Sequence, residues 1–379
     1  MKKLKVMTIV GTRPELIKLC RVIAELRDRT EHVLVHTGQN YDYELNEVFF
    51  RELEIPKPDH FLHVQAEGVA QTIANVITRC DEVMAKESPE ALLLLGDTNS
   101  CLSVIPAKRR KIPIFHMEAG NRCFDARVPE EINRKIVDHT SDINLPYTEH
   151  ARRYLLNEGL RPETVIKTGS PMAEVLAHYA SQIEASDALV RMGLRPREYF
   201  VVSAHREENV DRADHLQAIL DALDALAEEY RKPIIVSTHP RTRKRLDDLN
   251  QPRLEDKPLV RFLKPLGFFD YVKLQAQAAC VLSDSGTLTE ESSIMNFPAV
   301  MLREAHERPE GMDEGALIMS GLKTDRILQS AQMAMGQFRE GKRVFRCVSD
   351  YEPLNVAAKV ARIILGHVDY VNRTVWHKA

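Results

Sequence analysis

Short apolar runs alternate along the chain with longer stretches in which apolar residues recur every three or four positions. Mostly apolar runs of three to seven residues predict buried strands, and their alternation with helices predicts parallel sheets covered on both faces. The predicted strands are Leu4–Val10, Val33–Thr37, Ala91–Leu95, Pro113–Met117, Ile143–Leu145, Val165–Thr168, Phe200–Ser203, Ile234–Ser237, Leu259–Phe262, Cys280–Ser283 and Ala299–Leu302. The predicted helices are Pro14–Leu26, Val69–Met84, a helix carrying Leu216 to Leu226, and Asn355–Leu365.

The alternation is interrupted at Gly169-Ser170-Pro171, where glycine and proline break both patterns, and then starts again. A chain of 379 residues is also longer than one ordinary hydrophobic core. We therefore predict two doubly wound α/β domains that face each other across a cleft. Ligands of such sheets bind outside the carboxyl ends of the strands.

Bulk composition removes several classes of function. With 52 basic and 55 acidic residues the formal charge is −3, so we expect neither nucleic acid nor a membrane surface as a partner. No apolar run approaches the roughly 20 residues of a membrane span, and the first run is too short for a secretory signal, so a cytosolic protein is expected. The six cysteines contain no CxxC pair, which predicts reduced thiols and no structural zinc.

Charged residues follow the first and third of these strands directly. Gly11 opens a turn, and Arg13 and Lys18 come next. Cations after a glycine turn at a strand's carboxyl end favour an anion site, although simple solvation is the alternative. Asp97 follows Ala91–Leu95, where it is either a helix cap or a catalytic carboxylate.

The densest cluster of charge begins at Glu118, which ends a predicted strand, and continues to Glu130 and Glu131 after a proline. Glutamates in the first turn of a helix often serve only the helix dipole. Carboxylates gathered at one cleft are also what acid–base chemistry at carbon requires, because burial and like charges raise their pKa towards neutrality.

The second half presents cationic and small residues instead. His205 follows a strand and suits phosphate binding or proton transfer, with a buried core histidine as the alternative. At Ser283–Gly311 a strand turns through Ser285-Gly286 into a helix carrying Glu290 and Glu291. A strand entering a helix in this way aims N–H groups and the positive helix end at one point, which favours phosphate. The alternative is a helix cap and a solvated loop.

Carboxylates in one half and a phosphate cradle in the other indicate a diphosphate-linked small molecule, and nucleotide sugars fit this description. No cluster has metal-ligand spacing, and neither a GxGxxG fingerprint nor a P-loop occurs.

Seven segments occur in a set order along the chain: GTRPELIK (Gly11–Lys18), LGDTNS (Leu95–Ser100), HMEAGNR (His116–Arg122), PEEINR (Pro129–Arg134), AHREEN (Ala204–Asn209), SDSGTLTEES (Ser283–Ser292) and HERPEG (His306–Gly311). In these segments the chain resembles the non-hydrolysing UDP-N-acetylglucosamine 2-epimerases over essentially its whole length. The resemblance implies a glycosyltransferase-B-like fold of two Rossmann-like domains, with the C-terminal helix crossing back to the first domain. The implied bounds are 1–170 plus 360–379 for the N-terminal domain with the carboxylates, and 171–359 for the UDP-binding domain.

The resemblance also implies a cytosolic homodimer without a metal or redox cofactor, acting on a UDP-sugar. Its reaction inverts carbon 2 of a UDP-linked 2-acetamido sugar by expelling UDP to leave a glycal and adding UDP back. The catalytic residues it implies are Asp97, Glu118, Glu130 and His205. The substrate-binding residues it implies are Arg13, Lys18, His205, Ser285, Gly286, Glu291 and Arg308.

Three departures from the family pattern bear on the substrate and on regulation. Thr287 stands where the common phosphate turn has a second glycine, and Gln39–Asp42 and His239–Arg241 differ near the place where bacterial members bind a second, activating UDP-sugar. Whether such an activating site exists stays open. The segments Thr287–Ser293, Arg303–Gly311 and Asp369–Trp376 resemble a branch that converts UDP-2-acetamido-2,6-dideoxy-L-talose to UDP-N-acetyl-L-fucosamine for surface polysaccharides such as capsule or O-antigen.

Three alternatives to this substrate and activity remain. The first is the plain UDP-N-acetylglucosamine/UDP-N-acetylmannosamine 2-epimerase. The second is a glycosyltransferase of the same fold, which passes the sugar to an acceptor. The third is a UDP-sugar binder without catalysis, which the intact set of acidic residues argues against.

Overall fold

The computed structural model describes residues 2–38, 43–248, 257–305 and 308–378. Within it the chain forms two compact units. Unit 1 comprises Met1–Ala177 and Asp350–Ala379, and unit 2 comprises His178–Ser349. The chain thus leaves unit 1 after Ala177 and returns at Asp350, whereas the sequence placed these crossings after residues 170 and 359.

Unit 1 is built on one parallel sheet. Its strands are β1 (Lys5–Val10), β2 (Glu31–His36), β3 (His60–Phe61), β4 (Ala91–Leu95), β5 (Ile114–Met117) and β6 (Ile143–Leu145), in the order β3-β2-β1-β4-β5-β6. The helices between and after them are α1 (Arg13–Arg29), α2 (Tyr43–Glu52), α3 (Val69–Glu87), α4 (Val104–Arg109), α5 (Pro129–Thr140), α6 (Glu149–Asn157) and α7 (Met172–His178).

Unit 2 repeats this plan. Its parallel strands are β7 (Phe200–Ser203), β8 (Ile234–Ser237), β9 (Val260–Leu263), β10 (Cys280–Ser283), β11 (Ala299–Met301) and β12 (Ile318–Met319), in the order β12-β11-β10-β7-β8-β9. Its helices are α8 (Ala180–Ala185), α9 (Ala188–Arg191), α10 (Glu207–Val210), α11 (Ala213–Tyr230), α12 (Pro240–Asp248), α13 (Phe268–Gln277), α14 (Thr287–Met295), α15 (Pro309–Asp313) and α16 (Thr324–Gln337). The last helix, α17 (Val356–Thr374), belongs to unit 1 and packs against α1.

The two sheets have the same strand order. In each unit the first strand lies between the second and the fourth, which is the Rossmann order 3-2-1-4-5-6. The order reverses between β1 and β4 in unit 1 and between β7 and β10 in unit 2. The predicted fold of two doubly wound α/β domains is therefore confirmed, and each reversal point is where such a sheet binds its ligand.

Alternating strand residues fill the core on the two faces of each sheet. In β7, Phe200 and Val202 pack in a buried cluster with Leu220 of α11. Val201, between them, belongs to a second buried cluster that includes Leu288 of α14. The sheet is thus covered on both faces, as fully apolar strands require. Among the described helices, none combines the length and apolar composition needed to cross a membrane.

One predicted strand is wrong. In Val165–Thr168 only Val165 pairs, as an isolated bridge to Asn144 beside the end of β6. The amide of Thr168 still donates to the carbonyl of Pro146, at 2.9 Å. Because Pro146 has no N–H to donate in return, the ladder cannot continue there.

Candidate active site

The candidate residues of unit 1 follow strands that are neighbours in the sheet. Lys18 lies in the helix after β1, Asp97 follows β4, and Glu118 follows β5. The turns that carry the two carboxylates have left-handed backbone, with φ of +76° at Gly96, +62° at Glu118 and +82° at Gly120. A Cβ on Gly120 would lie 2.4 Å from the carbonyl oxygen of Ala151 in α6, so this turn requires glycine.

Lys18 and Glu118 form an ion pair at the carboxyl end of the sheet. The distance from Nζ to Oε2 is 2.7 Å, and the side chains are 3% and 12% exposed. Asn121 donates to the other carboxylate oxygen at 3.3 Å, and the ammonium lies 5.4 Å from the ring centre of Tyr147. Such burial strengthens the pair, because little water screens it. The cation is therefore fixed beside the carboxylate.

Asp97 is held by the start of α5. Arg134, which is 3% exposed, places Nε 2.8 Å and Nη2 2.7 Å from Oδ2 of Asp97. The amide of Asn133 donates to the backbone carbonyl of Asp97 at 2.9 Å. Glu131 is buried and accepts from Nη1 of Arg134 at 3.2 Å. Glu130, in the same first turn, is only half-buried.

Arg13 and Glu15 lie in the first turn of α1, which follows β1 directly. The guanidinium of Arg13 lies 5.7 Å from the ring centre of Phe49. Glu15 is buried, and it accepts hydrogen bonds from the amides of Gly11 and Thr12 and, at 2.6 Å, from the hydroxyl of Thr98. Burial raises the pKa of Glu15 to about 7, although these hydrogen bonds oppose the rise. Glu15 thus joins the turn after β1 to the loop that carries Asp97.

In unit 2, His205 and Asp284 meet where the strand order reverses. Asp284 is fully buried and accepts from the amides of His205 at 3.0 Å and Arg206 at 2.9 Å, and from Asn209 at 3.0 Å. Nδ1 of His205 lies 3.2 Å from the same carboxylate, and its side chain is 33% exposed. Burial raises the pKa of Asp284, but the charge and hydrogen bond of His205 and the other donors lower it further, to about 2. Asp284 therefore orients a half-exposed histidine.

Ser285 and Gly286 form the turn from β10 into α14. Gly286 is the N-cap residue of α14, so the N–H groups of the first turn begin here. The hydroxyls of Ser285 and Thr287 lie 3.0 Å apart. The arrangement suits an oxyanion, because helix N–H groups and two hydroxyls share one turn. Thr287 therefore adds a hydroxyl where the family's common turn has a glycine.

Glu291 and Arg308 each contact another side chain of unit 2. Gln275 donates to Glu291 at 2.6 Å. Arg308 lies 3.1 Å from Glu290, and both side chains are buried. The segments Gln39–Asp42 and His306–Glu307, which carry two of the sequence predictions, lie outside the described residues.

The structure thus joins Lys18 to Glu118 and brings the start of α5, which carries Glu130, against Asp97; it places His205, Ser285, Gly286, Glu291 and Arg308 in unit 2. Sequence reasoning did not single out three polar side chains that hold these residues: Glu15, Arg134 and Asp284. The available signals were an acidic residue directly after a strand and an arginine three residues after a glutamate on a helix. Across the described residues, no group of three or more His, Cys, Asp or Glu side chains is arranged to hold a metal ion.

Comparison with known proteins agrees with this geometry. The family model described as UDP-N-acetylglucosamine 2-epimerase matches residues 24–365. The solved UDP-N-acetylglucosamine 2-epimerase of Rickettsia bellii is 57% identical, with a TM-score of 0.93 and coverage of 99% of this chain and 100% of that one. The enzyme of Methanocaldococcus jannaschii, solved in complex with UDP-GlcNAc and UDP, is 30% identical, with a TM-score of 0.90 and coverage of 96% and 100%.

A further relative has a different named substrate. The UDP-2,3-diacetamido-2,3-dideoxy-D-glucuronate 2-epimerase of Pseudomonas aeruginosa is 33% identical over 341 residues, which are 88% of this chain and 93% of that one. Together with the glycosyltransferase-B-like pair of six-stranded sheets, these similarities show that the chain belongs to the UDP-N-acetylglucosamine 2-epimerase family and is an isomerase of its non-hydrolysing type.

Proposed function

We propose that the chain inverts carbon 2 of a UDP-linked 2-acetamido sugar by elimination and re-addition of UDP. A base removes the proton from carbon 2, and the electron pair of that C–H bond forms the C1=C2 double bond of a glycal. The bond from carbon 1 to the diphosphate oxygen breaks at the same stage, and UDP leaves. A proton then returns to carbon 2 from the opposite face, and UDP adds back to carbon 1. Nothing is oxidised or reduced overall.

The observation that carries this proposal is the pairing of carboxylates with buried cations at neighbouring strand ends. Asp97 after β4 lies against Arg134, and Glu118 after β5 lies against Lys18. Epimerisation needs a group to take the proton on one face and a group to return it on the other, and carboxylates do both. Glu130, half-buried in the first turn of α5, is the third carboxylate of the proposed set.

The UDP half of the substrate is assigned to unit 2, with Arg13 and Lys18 as the cations proposed near the diphosphate. The turn Ser285-Gly286 at the N-terminus of α14 offers N–H groups and hydroxyls to the phosphates, and His205 beside it supplies a proton or a positive charge. Glu291 and Arg308 complete the proposed set. The complex of the Methanocaldococcus relative with UDP-GlcNAc and UDP supports a UDP site in this fold.

For the sugar we propose UDP-2-acetamido-2,6-dideoxy-L-talose, converted to UDP-N-acetyl-L-fucosamine for a surface polysaccharide. The support is the resemblance of three segments to the branch acting on this sugar: Thr287–Ser293, Arg303–Gly311 and Asp369–Trp376. In the first of these, the hydroxyl of Thr287 forms a hydrogen bond with that of Ser285. The Pseudomonas relative supports the wider point that 2-epimerases of this family act on different sugars.

The alternative substrate is the pair UDP-N-acetylglucosamine and UDP-N-acetylmannosamine. It is favoured by the name of the Rickettsia relative, which is 57% identical. The two substrates share the chemistry at carbons 1 and 2 and differ elsewhere on the ring. Comparing kcat/KM on each therefore decides between them.

The deciding experiment is incubation of the protein in D2O with each UDP-sugar and no acceptor. Epimerisation requires that deuterium be incorporated at carbon 2 of both epimers. NMR and mass spectrometry measure this incorporation. We expect the highest kcat/KM with the 6-deoxy-L-talose substrate. Absence of exchange with every UDP-sugar, together with UDP release that depends on an added acceptor, would show a glycosyltransferase instead.

Two further properties belong to the same proposal and are tested separately. Light scattering on the purified chain tests the homodimer that the family resemblance implies. Fractionation of cells that produce the chain tests the cytosolic location.

A further inference from the structure

His116, the third residue of β5, is buried beneath the candidate carboxylates. The side chain is 1% exposed. Its Nδ1 lies 2.9 Å from Oδ1 of Asp138, and its Nε2 lies 2.7 Å from the carbonyl oxygen of Gly96. Both partners are acceptors, so both ring nitrogens must donate, which only the protonated imidazole can do. His116 is therefore an imidazolium in the folded protein.

Asp138 in α5 balances this charge. It is fully buried and accepts from His116, from Nη1 of Arg122 at 2.7 Å and from the amide of Gly120 at 3.1 Å. Arg122 in turn donates to both carboxylate oxygens of Glu158, at 2.8 and 2.7 Å. Two cations and two anions thus alternate in one connected network, which is the arrangement that offsets the cost of burying charge.

The backbone groups held by this pair flank two proposed catalytic carboxylates. Gly96, whose carbonyl accepts from His116, directly precedes Asp97. Gly120, whose amide donates to Asp138, lies two residues after Glu118. The amide of Gly96 also donates to the carbonyl of Met117, at 3.0 Å. The loop after β4 and the turn after β5 are therefore fastened to one His–Asp pair.

We propose that His116 and Asp138 are positioning residues that fix the placement of Asp97 relative to Glu118, an inference that rests on the proposed epimerase function. Neither is proposed to contact the substrate. Two groups that exchange a proton with one carbon from opposite sides must be held to a fraction of an ångström, and a displacement of about 1 Å reduces rates by about 10²-fold. The left-handed backbone at Glu118 needs such restraint, because it is strained for a residue with a side chain.

The charge states agree with this geometry. Burial lowers the pKa of His116, but the hydrogen bond and charge of Asp138, the Gly96 carbonyl and the charge of Asp97 outweigh it and raise the pKa above its usual range. Burial raises the pKa of Asp138, but His116 and Arg122 outweigh it and lower the pKa below its usual range. Both shifts favour the charged forms that the hydrogen bonds of the pair require.

Asp138→Asn is the sharpest test. The carboxylate accepts from His116, Gly120 and Arg122, so an amide can meet all three only by turning its NH2 group towards Nδ1 of His116, which must then release its proton. The variant therefore removes both charges of the pair and replaces charge-assisted hydrogen bonds with weaker neutral ones. His116→Gln is the second variant, since glutamine reaches one of the two acceptors but not both. The control is Asp142→Asn: Asp142 is also buried, bonded to Lys108 at 2.5 Å and to the amide of Ile114 at 2.9 Å, at the amino end of β5.

Three measurements are made on each variant: kcat and KM for interconversion, the temperature of unfolding, and hydrogen exchange of the Gly96 and Gly120 amides. We expect Asp138→Asn and His116→Gln to lower kcat by about 10- to 100-fold with little change in KM, and to speed exchange of these amides. Asp142→Asn is expected to lower the unfolding temperature while kcat stays within about two-fold.

The proposal is overturned if the two variants lose no more kcat than Asp142→Asn at a temperature where all are folded. It is equally overturned if the Gly96 and Gly120 amides exchange as in the wild type. If the wild type itself shows no exchange at carbon 2, the proposed function fails, and amide exchange still decides whether the pair restrains the two turns. Should Asp138→Asn not fold, His116→Gln carries the same test.

Discussion

Arg134 binds Asp97 through a single carboxylate oxygen: Nε and Nη2 lie 2.8 and 2.7 Å from Oδ2. Among the described residues, no side chain donates a hydrogen bond to the other oxygen, Oδ1. A buried arginine in this position orients the carboxylate. The geometry suits a base that takes a proton through its second oxygen.

Asp97→Asn removes that base while keeping the shape of the side chain. We expect the rate of deuterium exchange at carbon 2 to fall by about 10²- to 10⁴-fold, the usual contribution of a general base. UDP affinity should change little, because the proposed UDP-binding turn lies in unit 2. Exchange rates by NMR and UDP titration by calorimetry check both points. Loss of UDP affinity would mean that Asp97 belongs to the nucleotide site.

Lys18→Met tests the second pair. Removing the ammonium breaks its ion pair with Glu118, which is only 12% exposed, and breaking a buried pair from one side costs up to about 3–5 kcal/mol. We expect the free energy of unfolding to fall by about 2–3 kcal/mol, since Glu118 retains some solvent, and the exchange rate to fall as well. The matched control is Lys2→Met, because Lys2 is 79% exposed beside Glu90 and such pairs contribute little. Equal losses in both variants would contradict this account.

Burial separates the two adjacent glutamates of α5. Glu131 is 1% exposed and accepts from Arg134 and from the amide of Cys123 at 3.1 Å, whereas Glu130 is half-buried. Glu131→Gln should therefore lower stability by about 1–3 kcal/mol. Glu130→Gln should lower the exchange rate by about 10²-fold or more with a smaller loss of stability. Urea unfolding and kcat of the two variants are compared side by side, and the reverse pattern would exchange the roles of the two residues.

Much of the fold follows from local pattern, because buried parallel strands are apolar and their helices are periodic. The two-residue strands β3 and β12 are too short to carry a pattern. The last helix was expected to end at Leu365, before Gly366. It continues to Thr374 because Val368 and Val371 are buried. A Cβ on Gly366 would meet nothing within 4 Å, so no close contact requires glycine at this position. Burial there outweighs the preference of glycine for helix ends.

The candidate site was likewise predictable from the sequence only in part. Strand ends and glycine turns locate Asp97, Glu118, His205 and Ser285, since they are local features. Their partners are not local: Arg134 lies 37 positions from Asp97, and Asp284 lies 79 positions from His205. Which of several charged residues meets which carboxylate depends on how helices pack on the sheet, and no spacing in one sequence encodes it.

Glu15→Gln tests a charge that the fold disfavours. The pKa of Glu15 is raised from 4.5 to about 7, so between these values the folded protein holds a proton that the unfolded chain releases, and stability falls as pH rises. At 1.36 kcal/mol per unit the loss is about 3 kcal/mol. In glutamine, Oε1 accepts from the amides of Gly11 and Thr12, and the NH2 group donates to the hydroxyl of Thr98. We expect the free energy of unfolding of the variant, relative to that of the wild type, to increase as pH rises from 4.5 to 7, as measured by urea unfolding. A constant difference over this window would show that Glu15 keeps an ordinary pKa.

Asp284→Asn should show the opposite dependence on pH. The pKa of Asp284 is lowered from 3.8 to about 2, so its contribution is present above about pH 4 and is lost as pH falls through 2. The shift corresponds to about 2 kcal/mol at neutral pH. In the variant the amide oxygen can replace Oδ2, which accepts from His205, Arg206 and Asn209, but the NH2 group at the Oδ1 position then faces the backbone amide of His205, 3.1 Å away.

We therefore expect Asp284→Asn to be less stable than the wild type near neutral pH, with a difference that narrows as the solution is acidified from about pH 6 to about pH 2.5. The control is Asp214→Asn. The pKa of the exposed Asp214 is also about 2, but its ion pair with Arg212 is screened by solvent and contributes little to stability. Because Asp284 orients His205, UDP affinity should fall in Asp284→Asn and stay unchanged in Asp214→Asn. If the difference in stability from the wild type narrows equally in both variants on acidification, the effect is due to net charge rather than to the buried carboxylate.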